Sequence, residues 1–386
     1  MKTTSYWLAE AREPLTSAPV TRAGETDVVV VGGGVTGCSC ALTLAEHGLR
    51  VRLLEAREIA AGASGRNGGF ALRGGAMPYD EARLALGVDQ ARLLWQLSEL
   101  ALDRLEELAG DACRRVGSVR LSQGVEAEAL ERELEALRAD GFEVDWVDPL
   151  PPALGRLFSA AILHPGDAAI QPARWVRRLA GQAAAAGAEI VEGRAVAAEE
   201  LEELDAREVV IAADGLSGTL LPELAGVVLP QRGQMLVTTP LRELLFERPH
   251  YARKGYDYWQ QLPDRRLVVG GKRDVSFATE ATAAEETTER IQGELEAFVA
   301  ELTGEHPAVT HRWAGVWGET PDRLPLVGRL PTRAHVWIAG GYSGHGNVLG
   351  LACGELLARA IVGERPPELE LFDPGRLQLD VLRVAD

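Results

Sequence analysis

Apolar and polar positions along the chain fall into blocks whose period changes. Val28 to Val31 is an uninterrupted apolar run, which a parallel strand buried on both faces requires. Cys38 to His47 reads as a helix closed at Gly48, and Arg50 to Leu54 as a second strand. Leucines 94, 97, 105 and 108 lie near helical spacing within Asp89 to Leu108, and Val125 to Ala139 reads as an acidic amphipathic helix. Ile170 to Ala186 is a helix entered through Pro172, followed by strands over Glu189 to Glu192 and Glu208 to Ala213. Gln231 to Thr239, Tyr256 to Leu262 and Arg266 to Gly270 read as strands of an antiparallel sheet. Val336 to Ala339 is an apolar strand that runs into Gly340 to Asn347, then a helix to Val362. No repeat or low-complexity segment interrupts this order. It predicts an α/β chain: a nucleotide-binding domain interrupted by a second domain and completed by the C-terminus.

Between the first strand and the first helix stand Gly32-Gly33-Gly34-Val35-Thr36-Gly37. Gly32 permits the tight turn, Gly34 lets the backbone approach a pyrophosphate, and Gly37 allows the helix to pack closely on the sheet. The helix N-terminus then faces the anion. In a chain with 42 glycines the pattern alone discriminates little. Its context does: Glu55 closes the next strand where a ribose hydroxyl would need a carboxylate. A carboxylate there repels a 2′-phosphate, so NADP is disfavoured, and FAD and NAD both satisfy this end of the site.

The chain has 386 residues, enough for two or three cores. Its formal charge of −17 argues against nucleic acid, which needs a basic footprint, and weakly favours cationic small ligands. No segment approaches a membrane span of about 20 apolar residues, and the first 26 residues hold no signal-peptide core. A cytoplasmic protein is expected. The four cysteines, Cys38, Cys40, Cys113 and Cys353, show no metal-ligand spacing and read as small buried hydrophobes. No metal site is expected.

Further motifs resemble the FAD-dependent D-amino acid oxidase superfamily, in its glycine and sarcosine oxidase branch and especially the γ-glutamylputrescine oxidase-like amine oxidases. Ala61-Gly62-Ala63-Ser64-Gly65-Arg66-Asn67-Gly68-Gly69 is similar to the loop which that branch lays along the pyrophosphate and flavin. Thr320 to Gly328 and Gly341-Tyr342-Ser343-Gly344-His345-Gly346 resemble the segments that close over the isoalloxazine ring, and Ser5-Tyr6-Trp7 resembles the lead of the γ-glutamylputrescine oxidase group. The resemblance implies a Rossmann-like FAD-binding domain of the D-amino acid oxidase/glutathione reductase type over 1–80, 160–218 and 320–386. An antiparallel-sheet substrate domain with helices would take 81–159 and 219–319. It implies cofactor contacts from Gly32, Gly34, Val35, Thr36, Gly37, Glu55, Ala56, Ser64, Arg66, Asn67, Gly68, Val196, Ala213, Gly341, Gly344, His345, Gly346 and Asn347. Substrate contacts would come from Phe70, Tyr258, Trp317 and Tyr342. Glycine-rich backbone before an apolar helix can supply N–H donors to the flavin edge that gains charge on reduction, so a main-chain role suffices for His345.

Departures from the family pattern sharpen the reading. The position of the cysteine tether is Gly315, and that of the histidine tether is Arg66, so noncovalent FAD is expected. An arginine and a lysine that would clamp a substrate carboxylate are replaced by Trp317 and Val348, which makes a simple α-amino acid a poor candidate because a buried carboxylate needs a cation. Tyr256, Tyr258 and Trp259, with Trp317 and Tyr342, either form an aromatic cage for an alkylamine or belong to the core. The resemblance thus implies oxidation of an amine C–N bond by hydride transfer to flavin N5, imine hydrolysis and reoxidation by oxygen to give hydrogen peroxide. Small amine and oxygen are the expected partners, and the chain does not reveal its oligomeric state. Three alternatives stay open: a dehydrogenase using another acceptor, a flavin hydroxylase signalled by Asp214-Gly215 and Gly166-Asp167, and a non-catalytic flavin-binding subunit.

Overall fold

The structure is a computed structural model that describes residues 4–11 and 26–377. The lead read above as lacking a signal peptide therefore lies outside the described residues except for 4–11, as do residues 378–386 of the last FAD-domain stretch.

A six-stranded sheet runs in the order Leu326–Arg329, Val336–Gly340, Ala206–Ile211, Thr26–Val31, Val51–Leu54, Glu189–Val191. Every neighbouring pair is parallel except the first, where Leu326–Arg329 returns antiparallel as an edge. The valine run is explained by its two faces. Val28 and Val30 enter the large core under the helices, while Val29 and Val31 enter a separate core with Leu221, Leu224 and Val336.

The helix after the glycine turn is Val35–Glu46, three residues earlier than the pattern indicated. Gly34 caps it in an extended conformation, so Gly37 sits inside the first turn rather than before it. The helix expected from Val125 is preceded by a 3-10 turn and spans Ala127–Ala139. Ile170 is not helical: it ends the strand Ala168–Ile170, and the helix is Pro172–Ala185, capped by the Gln171 side chain on Arg174 N at 2.7 Å.

The second large sheet has eight strands, ordered Val309–Glu319, Leu229–Thr238, Leu267–Gly271, Asp257–Gln261, His250–Ala252, Ser118–Ser122, Ala160–His164, Asp145–Trp146. It is antiparallel at every pairing but one: His250–Ala252 runs parallel to Ser118–Ser122, where strands from two distant stretches of chain meet. Ala160–His164, within the stretch 160–218, pairs in this sheet rather than in the six-stranded one. One face packs on helix Glu289–Thr303 through Trp259, Phe158, Phe246 and Phe298. The opposite face looks toward the glycine turn.

Candidate active site

The turn is shaped by what a side chain would strike. Gly32 has φ +116°, and a Cβ there would lie 2.4 Å from the Ala212 carbonyl oxygen; one on Gly37 would lie 1.9 Å from the Gly32 carbonyl oxygen. Helix and strand therefore meet main chain to main chain. Glu55 is held by two backbone donors, Gly33 N on Oε2 at 2.7 Å and Arg57 N on Oε1 at 2.8 Å. Val35 N donates to Ser64 Oγ at 3.0 Å, which ties the helix start to the following loop.

From this turn a cavity of about 850 Å³ extends to the eight-stranded sheet. Of the cofactor residues expected from sequence, Gly32, Gly34, Val35, Thr36, Glu55, Ala56, Ser64, Arg66, Asn67, Gly68, Val196, Ala213, Gly344, His345, Gly346 and Asn347 all line it. Phe70, Tyr258, Trp317 and Tyr342 line it too. Gly37 and Gly341 stand behind the wall: Gly37 at the helix–strand contact, Gly341 donating its N–H to Asp214 Oδ1 at 2.8 Å.

The loop from Ala61 to Gly69 is tied on every side. The amides of Asn67 and Asn347 bond reciprocally at 3.0 and 3.1 Å, and Asn347 Nδ2 also donates to the Phe70 carbonyl at 2.7 Å. Arg66 donates to the carbonyls of Ala61 and Ala314, while Trp313 Nε1 donates back to the Arg66 carbonyl at 2.8 Å. Behind the loop, Ser5 Oγ donates to the Gly65 carbonyl at 2.6 Å and Trp7 Nε1 to the Asn67 carbonyl at 2.8 Å. Arg66 and Asn67 thus act largely as cross-links that fix loop backbone.

At the other glycine turn His345 caps helix Gly346–Ile361. Its Nδ1 is buried without a protein partner, and burial pushes the ring down to about 4, so it is neutral at physiological pH. Tyr342 turns its hydroxyl to Thr36 Oγ1 at 2.8 Å and is buried where the two helix starts meet.

The sheet face resolves the aromatic residues by strand alternation. Tyr258 faces the cavity, where burial pushes its phenol up to about 12, and its ring meets Phe70 edge to face. Its neighbour Trp259 points the opposite way, fully buried, and stacks on His250 and Phe158. Trp259 is therefore core, and Tyr256 lines the cavity from just before the strand.

Three functional candidates escaped the sequence reading. Arg273 reaches the cavity, with its guanidinium 5.2 to 5.4 Å from the ring centres of Tyr256, Phe277 and Trp317. The expected aromatic cage thus already holds a cation, and a cation is present in the cavity despite Trp317 and Val348. Glu319, two residues beyond Trp317, lies 3.5 Å from Arg273 and lines the same space, as does Tyr251. Arg273 carries no motif and follows a glycine-ended strand, so only alternation beyond that strand could have signalled it.

The Asp-Gly motifs that raised the hydroxylase alternative are turned inward. Asp214 accepts the N–H groups of Gly318 and Gly341, and Asp167 accepts Ser118 Oγ at 2.6 Å and Arg73 N at 2.8 Å. Both are loop rivets; Asp214 also borders the cavity, while Asp167 is buried away from it. No helix among the described residues is long and apolar enough to cross a membrane.

A parallel sheet with a glycine turn and terminal acid, joined by one cavity to an antiparallel sheet, defines the two-part architecture of an FAD-dependent oxidoreductase. The family model described as FAD dependent oxidoreductase (DAO) matches residues 27–360, so the chain belongs to that family. A probable oxidoreductase OrdL from Rhizobium meliloti (strain 1021) is 32% identical, with 90% of this chain and 85% of that protein covered. The gamma-glutamylputrescine oxidoreductase of Escherichia coli (strain K12) is 28% identical, covering 94% of this chain and 89% of that one. Glycine oxidase from Geobacillus kaustophilus shares the fold, with a TM-score of 0.74 at 23% identity over 91% of this chain and 98% of that one.

Proposed function

We propose that the chain oxidises the C–N bond of a small amine, using noncovalently held FAD and oxygen as the acceptor. The observation that carries this reading is the single cavity joining the Gly32–Gly37 turn to a sheet face of Tyr258, Trp317 and Tyr251. It is supported by the relatives, whose names include a gamma-glutamylputrescine oxidoreductase and glycine oxidases. The residues fit the cofactor: two glycine turns open onto the cavity, the His345 Nδ1 is an orphaned buried polar atom, and no cysteine is among the lining residues.

Bound FAD would supply the redox chemistry, as hydride acceptor toward the carbon next to the amine nitrogen and as electron donor toward oxygen. The chain's own part is positioning. Glu55 would hold the ribose hydroxyls, the N-terminal amides of Val35–Glu46 would face the pyrophosphate, and the main chain of Gly344–Gly346 would meet the ring edge. Phe70, Tyr258 and Trp317 would close the reacting carbon from water and hold it against the ring. As a division of labour, we assign 1–80, the stretch after His164 to 218, and 320–386 to the cofactor, and the remainder to the substrate. Supporting this, the strands of the six-stranded sheet all come from the first set.

The test is anaerobic addition of a panel of amines to the yellow protein, followed by admission of air. Bleaching by at least one amine and equimolar hydrogen peroxide on reoxidation are expected. Failure of every amine to bleach the flavin would overturn the reading, and bleaching without peroxide would replace oxygen by another acceptor.

A further inference from the structure

Between helix Phe277–Glu280 and helix Glu289–Thr303 the chain runs as a strap, residues 281–287, anchored at both ends and fastened once in between. Both anchors belong to one strand, Leu229–Thr238. Arg232 grips the Glu280 carboxylate with a fork, Nε on Oε2 and Nη2 on Oε1, each at 2.8 Å. Two residues along the same strand face, Gln234 Nε2 donates to Glu280 Oε2 and to Thr288 Oγ1, both at 3.0 Å, and its Oε1 accepts Thr288 N at 2.9 Å. Arg232, Gln234 and Glu280 are all buried, and Thr288 caps the helix that follows. One strand therefore holds the point where the strap begins and the point where it ends.

The middle of the strap crosses to the other side of the cavity. Glu285 accepts a fork from Arg57, Nη1 on Oε2 at 2.6 Å and Nη2 on Oε1 at 3.2 Å, and Arg66 Nη2 stands 3.6 Å from the same Oε2. Arg57 lies two residues past Glu55, and Arg66 two past Ser64, whose hydroxyl holds Val35 N. Ala283, Glu285, Arg57 and Arg66 all line the cavity. The strap thus leaves the eight-stranded sheet and is fastened to the loops around the glycine turn, level with the helix N-terminus that would face a pyrophosphate.

A carboxylate has the wrong charge for holding a pyrophosphate. Glu285 repels such an anion and neutralises guanidinium groups that would attract it, so affinity for the cofactor does not explain its place. Closure does. We propose that residues 281–287 are the door through which FAD enters and leaves the cavity, and that the contact of Glu285 with Arg57 and Arg66 is its latch. The inference goes beyond the amine-oxidising reading and rests only on FAD as the cofactor. The latch involves no atom of the cofactor, so it closes the empty and the loaded cavity alike. The anchors are buried, whereas Arg57 is 44% and Glu285 22% exposed, so the latch gives way to water while the anchors hold.

The test reads FAD rather than turnover. Binding of FAD to the apoprotein, and its release from the loaded protein on dilution, are followed by flavin fluorescence. Glu285→Gln should speed both, each about 3–10-fold, and leave the dissociation constant within about 2-fold, because a latch alters the path between the two states and not the states themselves. Arg57→Gln should do the same, and the double variant should be no faster than either, since both changes open one latch. Sodium chloride at about 0.5 M should speed release from the unmodified protein more than from the variants, because it screens an ion pair they lack. An apoprotein unfolding temperature equal to the parent's separates the effect from a folding defect. Slower release with tighter binding in Glu285→Gln would mean that the carboxylate only repels the pyrophosphate. Faster release with unchanged association would mean that it only stabilises the bound state. Either result, or rates equal to the parent's, overturns the door. None of these rates involves an amine, so the two readings fail separately: amines that never bleach the flavin leave the door standing, and parental FAD rates leave amine oxidation standing.

Discussion

Gly32 and Gly37, where helix Val35–Glu46 leaves the six-stranded sheet, are packed against main chain, whereas Gly233 and Gly270 on the eight-stranded sheet are packed against side chains. Around Gly32 and Gly37 the nearest atoms a substituent would strike are the carbonyl oxygens of Ala212 and Gly32, main chain directly past two neighbouring strands of the six-stranded sheet, Ala206–Ile211 and Thr26–Val31. Around Gly233 and Gly270 the nearest atoms belong to the rings of Trp317 and Tyr258. Rings can swing on their χ angles at modest cost. The end at which we propose FAD sits is thus fixed by the fold, and the end at which we propose the amine sits can change without touching the fold. A shared cofactor with varied substrates is the expected outcome of such a construction.

The largest expected effect comes from Trp7→Ala, which asks whether the main-chain packing at the glycine turn stands alone. Trp7 is fully buried behind the loop, and its indole donates to the Asn67 carbonyl. Its loss should cost about 3–5 kcal/mol, seen as a lower unfolding temperature and FAD lost on gel filtration. Retention of full flavin would show that the N-terminal segment is dispensable to the loop. Next comes a matched pair. Gly37→Ala drives a methyl into a carbonyl at 1.9 Å, and a penalty of about 1–3 kcal/mol together with reduced FAD content is expected. Gly270→Ala instead displaces the Tyr258 ring from 2.3 Å, so FAD content should hold while KM for the amine rises. If both variants lose flavin alike, the contrast between the two ends fails.

The smallest effect is a pH dependence of stability. Burial pushes His164 and His250 down to about 3 and His345 to about 4. Below the unfolded value of about 6.5 the unfolded chain takes up protons that these rings refuse, so stability is full above that pH and falls as pH drops toward 4. Asp167 acts oppositely, since burial pushes it up to about 6 and the native form binds a proton first. Asp214, Glu133 and Glu355 are raised by burial in the same sense as Asp167, while Asp27, Asp140 and Glu200, and against their burial Glu223 and Asp322, are held low by their hydrogen-bond partners and, with His311, add to the loss, so a net loss on acidification is expected. Urea midpoints measured between pH 7 and 4.5 should decline, and a flat profile would contradict the neutral burial of the three rings.

Much of the cofactor end was legible because its chemistry is local in sequence. A valine run, a glycine turn and a following acid lie within one βαβ unit, and each constrains the main chain of its own neighbours. The close packing expected of Gly37 is present, against Gly32, but the helix read from Cys38 already includes Val35 to Gly37. At the sheet end the legible part was the alternation of Tyr258 and Trp259, and even this left their faces open. Packing of Phe158, His250 and Phe298 decided that Trp259 is core.

By itself the sequence determined the α/β class, the dinucleotide turn, the carboxylate after the second strand and the two glycine loops that meet over one cavity. These follow from backbone conformations that few residue types permit. Only the tertiary structure decided that Asp214 rivets Gly318 to Gly341, that Arg273 occupies the aromatic bed of Tyr256, Phe277 and Trp317, and that Glu319 stands opposite it. Their partners come from strands far apart in the chain, and pairing across a sheet is set by register and packing that no local pattern records.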